Sequence, residues 1–157
     1  MAAKLGIRKV IWLEGDPCEP IPSGHTDGYV LCAPGGVVLV EVFDDKDMEP
    51  PLWREHDTTL LENALDADGR KLKVVRVLAP RRRYWKGDPK SFAPCYLNAY
   101  VANDAVIGAQ FGDAERDEAA RTAFANAFPA REVVMLAINH IANAGGGIHC
   151  LTQAMPA

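Results

Sequence analysis

Apolar residues along the chain come in short runs, and the spacing within each run separates strands from helices. Residues 9–13 (KVIWL) read as a short buried strand, followed by a loop over 15–24 (GDPCEPIPSG), where three prolines and two glycines break regular structure. Residues 29–33 (YVLCA) and 37–43 (VVLVEVF) flank Pro34-Gly35-Gly36, and two β-rich runs about such a break predict a hairpin. From 51 to 65 the apolar and small residues Leu52, Leu60, Leu61, Ala64 and Leu65 recur at helical spacing, with Asp68-Gly69 as the stop. Residues 72–78 (LKVVRVL) predict another strand. Two more, 96–101 and 105–109, turn at Asn103-Asp104. An amphipathic helix is expected over 113–128, with Asp113 as its cap and Pro129 beyond its end. Residues 132–138 (EVVMLAI) form the last strand, followed by a helical turn near His140, the triplet Gly145-Gly146-Gly147, and Ile148 to Gln153.

The recurring order is strand, hairpin, helix, strand. It predicts a mixed α/β fold with internal structural repetition. A doubly wound sheet is disfavoured, because no G-x-G-x-x-G follows a strand.

At 157 residues the chain is one domain or part of one, and 48% apolar content is enough for a packed core. A formal charge of -4 argues against nucleic acid and anionic membranes as partners and suits a cationic small molecule. Arg81-Arg82-Arg83, the one basic cluster, lacks a wider basic face and reads as a solvated loop. Neither a signal peptide nor a membrane span is expected, so a cytoplasmic protein with reduced thiols follows. The cysteines at 18, 32, 95 and 150 have neither C-x-x-C nor zinc-ligand spacing, so no metal is expected; Cys32, in an apolar strand, reads as a buried small hydrophobe.

One constellation bears chemistry. Gly24-His25-Thr26-Asp27 opens a predicted strand, where residues two apart share a face, so His25 and Asp27 should project together. Cys150 follows a glycine-rich turn that can leave its thiol reachable and leave room for a ligand. Each has a plainer reading alone: a turn pair, a flexible loop, a packed thiol. His149 should face away from Cys150 in an extended stretch and reads as structural, while His56 and His140 have no partner in sequence.

Taken together, WLEGD (12–16), SGHTDGYV (23–30), APGGVVLVEV (33–42), YLNAYVANDAVIGAQFGD (96–113), FPAREVV (128–134) and GGGIHCLTQAMP (145–156) resemble the agmatine deiminase and bacterial-type peptidyl-arginine deiminase family. They run through nearly the whole chain in the family's order. The resemblance implies the α/β propeller of the guanidine-modifying enzymes, and the chain would be a single domain over 1–157 corresponding to the C-terminal catalytic half. About three of the five propeller modules would be present.

The resemblance also implies hydrolysis of a guanidinium to a ureido group and ammonia through a covalent thiouronium adduct, with no metal or organic cofactor. Cys150 matches the nucleophile, His25 the general acid/base and Asp27 a carboxylate that grips the guanidinium. Asp16 could add negative charge to the pocket, or serve only as a turn residue before Pro17. Gly147 could let substrate approach the backbone. The substrate would be agmatine or a related small guanidine. Three positions depart from the family pattern: Ile21 stands where an acidic residue is expected, Gly28 where many members have Asn, and Ala154 where Gln is common. The missing half leaves apolar faces and strand edges, which predicts a homo-oligomer or pairing with a separate N-terminal half. A catalytically inactive remnant that serves as an oligomerising or ligand-binding module is the rival reading. A cysteine hydrolase acting on peptides has only the Cys/His pair behind it.

Overall fold

The computed structural model describes residues 6–15, 25–44 and 52–155, and one arrangement occurs in it twice. A helical turn α1 (Thr26–Tyr29) leads into β1 (Val30–Ala33), which pairs antiparallel with β2 (Val37–Val42) in the register Val30↔Val40 to Ala33↔Val37. Helix α2 (Leu52–Asn63) then crosses over to β3 (Lys73–Leu78), parallel to β2 with Val37 opposite Lys73 and Val42 opposite Leu78. The second copy runs β4 (Tyr100–Val101), β5 (Ala105–Gln110), helix α3 (Ala114–Ala127) and β6 (Glu132–Ala137), with the same antiparallel and parallel pairings. The expected mixed α/β repetition is present, as two hairpin-helix-strand modules among the described residues.

The hairpin turn follows from its residues. Gly35 and Gly36 adopt φ of 75° and 76°, a left-handed geometry that any side chain would make costly, and Pro34 fixes the approach. Strand β2 is central and buried on both faces, which is why it reads as a nearly continuous apolar run. Its alternation divides the core. Val38, Val40 and Val42 pack with Tyr29 and Leu61 under α2, whereas Leu39 joins Phe92, Tyr96, Phe111 and Phe124 in the larger core between the modules. Asp117 ties that junction, accepting from the Tyr96 hydroxyl at 2.7 Å and from the N–H groups of Phe111 and Gly112 at 3.0 and 2.9 Å.

Several expectations need correction. Residues 9–13 form no strand. Ile11 and Leu13 lean on the smaller core, while Val10 and Trp12 face outward, Trp12 being 81% exposed. Cys32 is exposed: it shares the face of Val38, its partner across the ladder, but β1 lies at the sheet edge and leaves it incompletely covered. The strand expected over 96–101 is confined to Tyr100–Val101, since the preceding residues leave the ladder to reach across the molecule. Asp113 does precede α3, but its buried carboxylate accepts from Arg81 instead of capping the helix, so the arginine run is partly paired and not merely solvated.

Helix α2 departs furthest from its expected pattern. Leu52 is 90% exposed, and the inner face is Arg54, Asp57, Thr58 and Leu61. Polar groups can occupy that face because each is engaged. The Arg54 guanidinium lies 4.8 Å from the Tyr29 ring centre and 4.9 Å from those of Phe43 and Trp53. Asp57 accepts from the Tyr29 hydroxyl at 2.7 Å and from the N–H groups of Glu14 and Gly15 at 2.8 and 3.2 Å. Removing this fully buried acceptor leaves three donors without a partner. Asp57→Ala is therefore expected to lower the unfolding free energy by about 3 kcal/mol, and Asp57→Asn by roughly half that, as read from urea midpoints.

Candidate active site

The site is assembled from three segments that each sit outside a strand. His25 is extended (φ −66°, ψ 129°), and its carbonyl accepts from the Gly28 N–H at 2.8 Å as the chain turns into α1. Residues 25–27 are thus a helix start and not a strand. His25 and Asp27 do not share a strand face, yet both line one cavity of about 460 Å³. Cys150 lies on that cavity's wall, with Asn98, Cys95 and the glycines 145–147.

Asn98 is the hub. Its side-chain N–H donates to Asp27 Oδ2 at 3.0 Å and to the Asp27 carbonyl at 3.2 Å. Its Oδ1 accepts from the Cys150 N–H at 3.3 Å and lies 3.4 Å from Cys150 Sγ. A hub so placed needs space beside it. A Cβ on Gly147 would come within 2.4 Å of Asn98 Oδ1, so only glycine fits there. Gly147 lines the cavity, but the room it makes on that side is filled by Asn98.

Asp27 Oδ2 lies 4.0 Å from Cys150 Sγ and 2.8 Å from His149 Nδ1. The second contact corrects the reading of His149. Residues His149–Leu151 form a 3-10 turn and not an extended stretch, so successive side chains diverge by about 120° instead of 180°. Both His149 and Cys150 therefore reach Asp27. Buried Ile148 anchors the turn, and the Asn98 carbonyl accepts from the His149 N–H at 3.2 Å. Asp16 lies outside the described residues. His56 pairs with Glu14 at an exposed position, and His140 sits exposed on the short helix α4 (Asn139–Asn143), both away from the cavity.

Behind the cavity wall lies a buried acidic layer. Glu41 of β2 is fully buried and accepts from the Tyr96 N–H at 2.6 Å. Burial pushes its carboxyl up to about 8 against the opposing pull of Arg54 and of the Tyr96 and Leu97 N–H groups. The Cys95 thiol is raised by burial first and by Glu41 second, which makes it a poor nucleophile beside exposed Cys150. Among the described residues no group of three or more His, Cys, Asp or Glu could hold a metal ion, and no helix is long and apolar enough to cross a membrane.

A thiol, a carboxylate and one imidazole around one cavity, with a second imidazole on the carboxylate, can attack and hold a planar cation. The profile of the Porphyromonas-type peptidyl-arginine deiminase family matches residues 1–156. The chain belongs to this family. Within it, an agmatine deiminase of Medicago truncatula is 34% identical over 176 residues, covering 100% of this chain and 47% of the relative. A crystal structure from Porphyromonas gingivalis superposes with a TM-score of 0.84 at 20% identity, over 99% of this chain and 45% of that one. The agmatine deiminase of Enterococcus faecalis superposes with a TM-score of 0.73 at 27% identity, over 83% and 40%. The chain thus has the fold of these deiminases and spans about half the length of the curated relatives it matches.

Membership in the deiminase family makes the neighbourhood of Glu41 worth testing by pH. In the unfolded chain this carboxyl ionises near 4.5, whereas in the folded protein it holds its proton to about 8. Between those values the unfolded state has released a proton that the native state keeps. Stability contributed by neutral Glu41 is thus complete below pH 4.5 and declines as pH rises to about 8. Glu41→Gln is expected to remove this decline, worth up to about 4 to 5 kcal/mol at about 1.4 kcal/mol per pKa unit. Urea midpoints of both proteins from pH 5 to 8.5 provide the measurement.

Proposed function

We propose that this chain is the catalytic half of a guanidine deiminase that converts agmatine, or a related small guanidine, to its ureido product and ammonia. The observation that carries the reading is the convergence of Asp27 and Cys150, 4.0 Å apart, on the cavity that His25 also lines. The half-buried Asp27 carboxylate suits a guanidinium, whose N–H groups form a charged fork. The substrate's charge beside Cys150 favours the thiolate.

Thiolate attack on the guanidinium carbon forms the C–S bond and a tetrahedral adduct. Its collapse breaks a C–N bond, and His25 protonates the departing nitrogen so that ammonia leaves. The thiouronium left on Cys150 is then attacked by water, whose proton His25 takes. The C–S bond breaks, the thiolate returns, and the ureido product departs. This sequence uses no metal or cofactor.

The chain spans 47% of the length of its Medicago truncatula relative, which favours a second reading of the isolated chain as an inactive binding or oligomerising module. Outward-facing Val10 and Trp12 support contact with another polypeptide, either a second copy or a separate half. Turnover separates the two readings. On the deiminase reading, incubation with agmatine yields ureido product and ammonia in equal amounts. Cys150→Ser abolishes both, Asp27→Asn costs at least about a hundredfold in kcat/KM, and His25→Ala at least as much. Wild-type protein that makes neither product, alone or at high concentration, would leave the module reading standing.

A further inference from the structure

Residues 9–13 (KVIWL), which have no ladder partner among the described residues, repeat the closing strand of each module. With Lys9 placed on Lys73 of β3 and on Glu132 of β6, Val10 to Leu13 match Val74 to Val77 and Val133 to Leu136. The packing repeats with the sequence. Ile11 and Leu13 lean on the smaller core, in the module that follows them, just as Val77 enters the core shared with the module after β3. The opposite face of a closing strand meets its own crossover helix. Val74 packs in the core under α2, and Arg76 reaches Glu55 and Glu62 of that helix at 2.9 and 3.0 Å. Val133 and Met135 likewise join the core that holds Phe124 of α3. At residues 9–13 that face is bare: Val10 is 50% and Trp12 81% exposed.

We propose that residues 9–13 are the closing strand of a further hairpin-helix-strand module, whose hairpin and helix come from a separate polypeptide. The strand lies parallel to that hairpin's inner strand, as β3 lies beside β2 and β6 beside β5, and takes the helix over Val10 and Trp12. A second copy of this chain cannot supply these parts. Among the described residues, β2 already carries β1 on one side and β3 on the other, and β5 carries β4 and β6. Neither hairpin has a free inner edge, and α2 and α3 each pack on their own closing strand. The fitting partner is a polypeptide that has a hairpin and helix and lacks the last strand. The chain spans 47% of the length of its Medicago truncatula relative, which leaves room for such a segment. This choice of partner rests on the reading that Val10 and Trp12 meet another polypeptide, and it holds whether or not Cys150 turns over a guanidine. It bears on the site through the connection, since residues 9–13 lead to His25 and Asp27 as β3 leads to Asn98 and β6 to Cys150.

The probe is the part of the Medicago truncatula agmatine deiminase N-terminal to its match with this chain, co-expressed as a separate polypeptide with the tagged chain. Native mass should show a one-to-one complex. In it, the amides of residues 9–13 should exchange hydrogen at least about a hundredfold more slowly than in the chain alone. The double variant Val10→Asp, Trp12→Asp should lose both the complex and the protection. The urea midpoint of the chain alone should not move, since both side chains already face water. A fusion with the segment placed directly ahead of Ile7 removes separate folding and association as requirements, and it decides the matter where co-expression yields no complex. Residues 9–13 unprotected in that fusion would overturn the proposal. So would their protection in the chain alone as it dimerises, which would make the second copy the partner. Ammonia release from agmatine by the same complex tests the deiminase reading separately: protection without product would sink that reading and keep this one.

Discussion

The Asn98 amide is the contact on which the site depends. Its side chain touches both the Asp27 segment and the Cys150 segment, and it offers a donor to the first and an acceptor to the second. An amide suits this position because it presents both roles without a charge of its own. A carboxylate there would repel Asp27, and a hydroxyl would be too short to span the gap. The glycine at 147 follows from the same demand, since Asn98 occupies the volume a side chain would take.

That hub is held from below by groups that are costly to bury. The Tyr96 N–H, two residues before Asn98, donates to Glu41 on the central strand, and the Tyr96 hydroxyl donates to Asp117 on α3. The segment carrying Asn98 is thus pinned to both modules at once. On the far side, Asp57 gathers the Tyr29 hydroxyl and the backbone of residues 14 and 15, and so steadies the turn that carries Asp27. Buried carboxylates contribute little net stability by themselves, because their desolvation offsets much of what their hydrogen bonds return. Their value here is geometric: each anchors backbone N–H groups beside a functional loop that has no strand partner.

Period-two and period-3.6 patterns made most of the fold legible. The hairpin at Pro34–Gly36, both crossover helices and the parallel strands all follow from apolar spacing and from glycine and proline chemistry. What escaped was set by tertiary contact. The inner face of α2 is charged, so its apolar spacing pointed to the wrong side, and Leu52 ended exposed. Residues 9–13 have the composition of a strand but no ladder partner among the described residues. At the site, Cys150, His25 and Asp27 were legible as a group, and the cavity gathers them. His149 was misread because a 3-10 turn and an extended strand place adjacent residues differently. Asn98 was visible only as part of a family motif. The available signal was a lone amide inside an otherwise apolar run, 96–101.

The placement of the three site segments follows from the repetition itself. Asp27 lies just before the first hairpin strand, β1, and Asn98 just before its counterpart, β4, so the two occupy corresponding places in the two modules. Cys150 follows β6 and α4, as Asn98 follows β3. Each group therefore sits on the connection outside a module's sheet, where the chain is free of ladder hydrogen bonds and can turn its polar atoms inward. Packing one module on the next across the Tyr96–Phe111 core brings these connections to a common point. A repeated scaffold thus supplies different chemistry at each equivalent position: a carboxylate, an amide, then a thiol. The polar and reactive groups are placed in the connections, and the sheets serve to hold them a few ångströms apart.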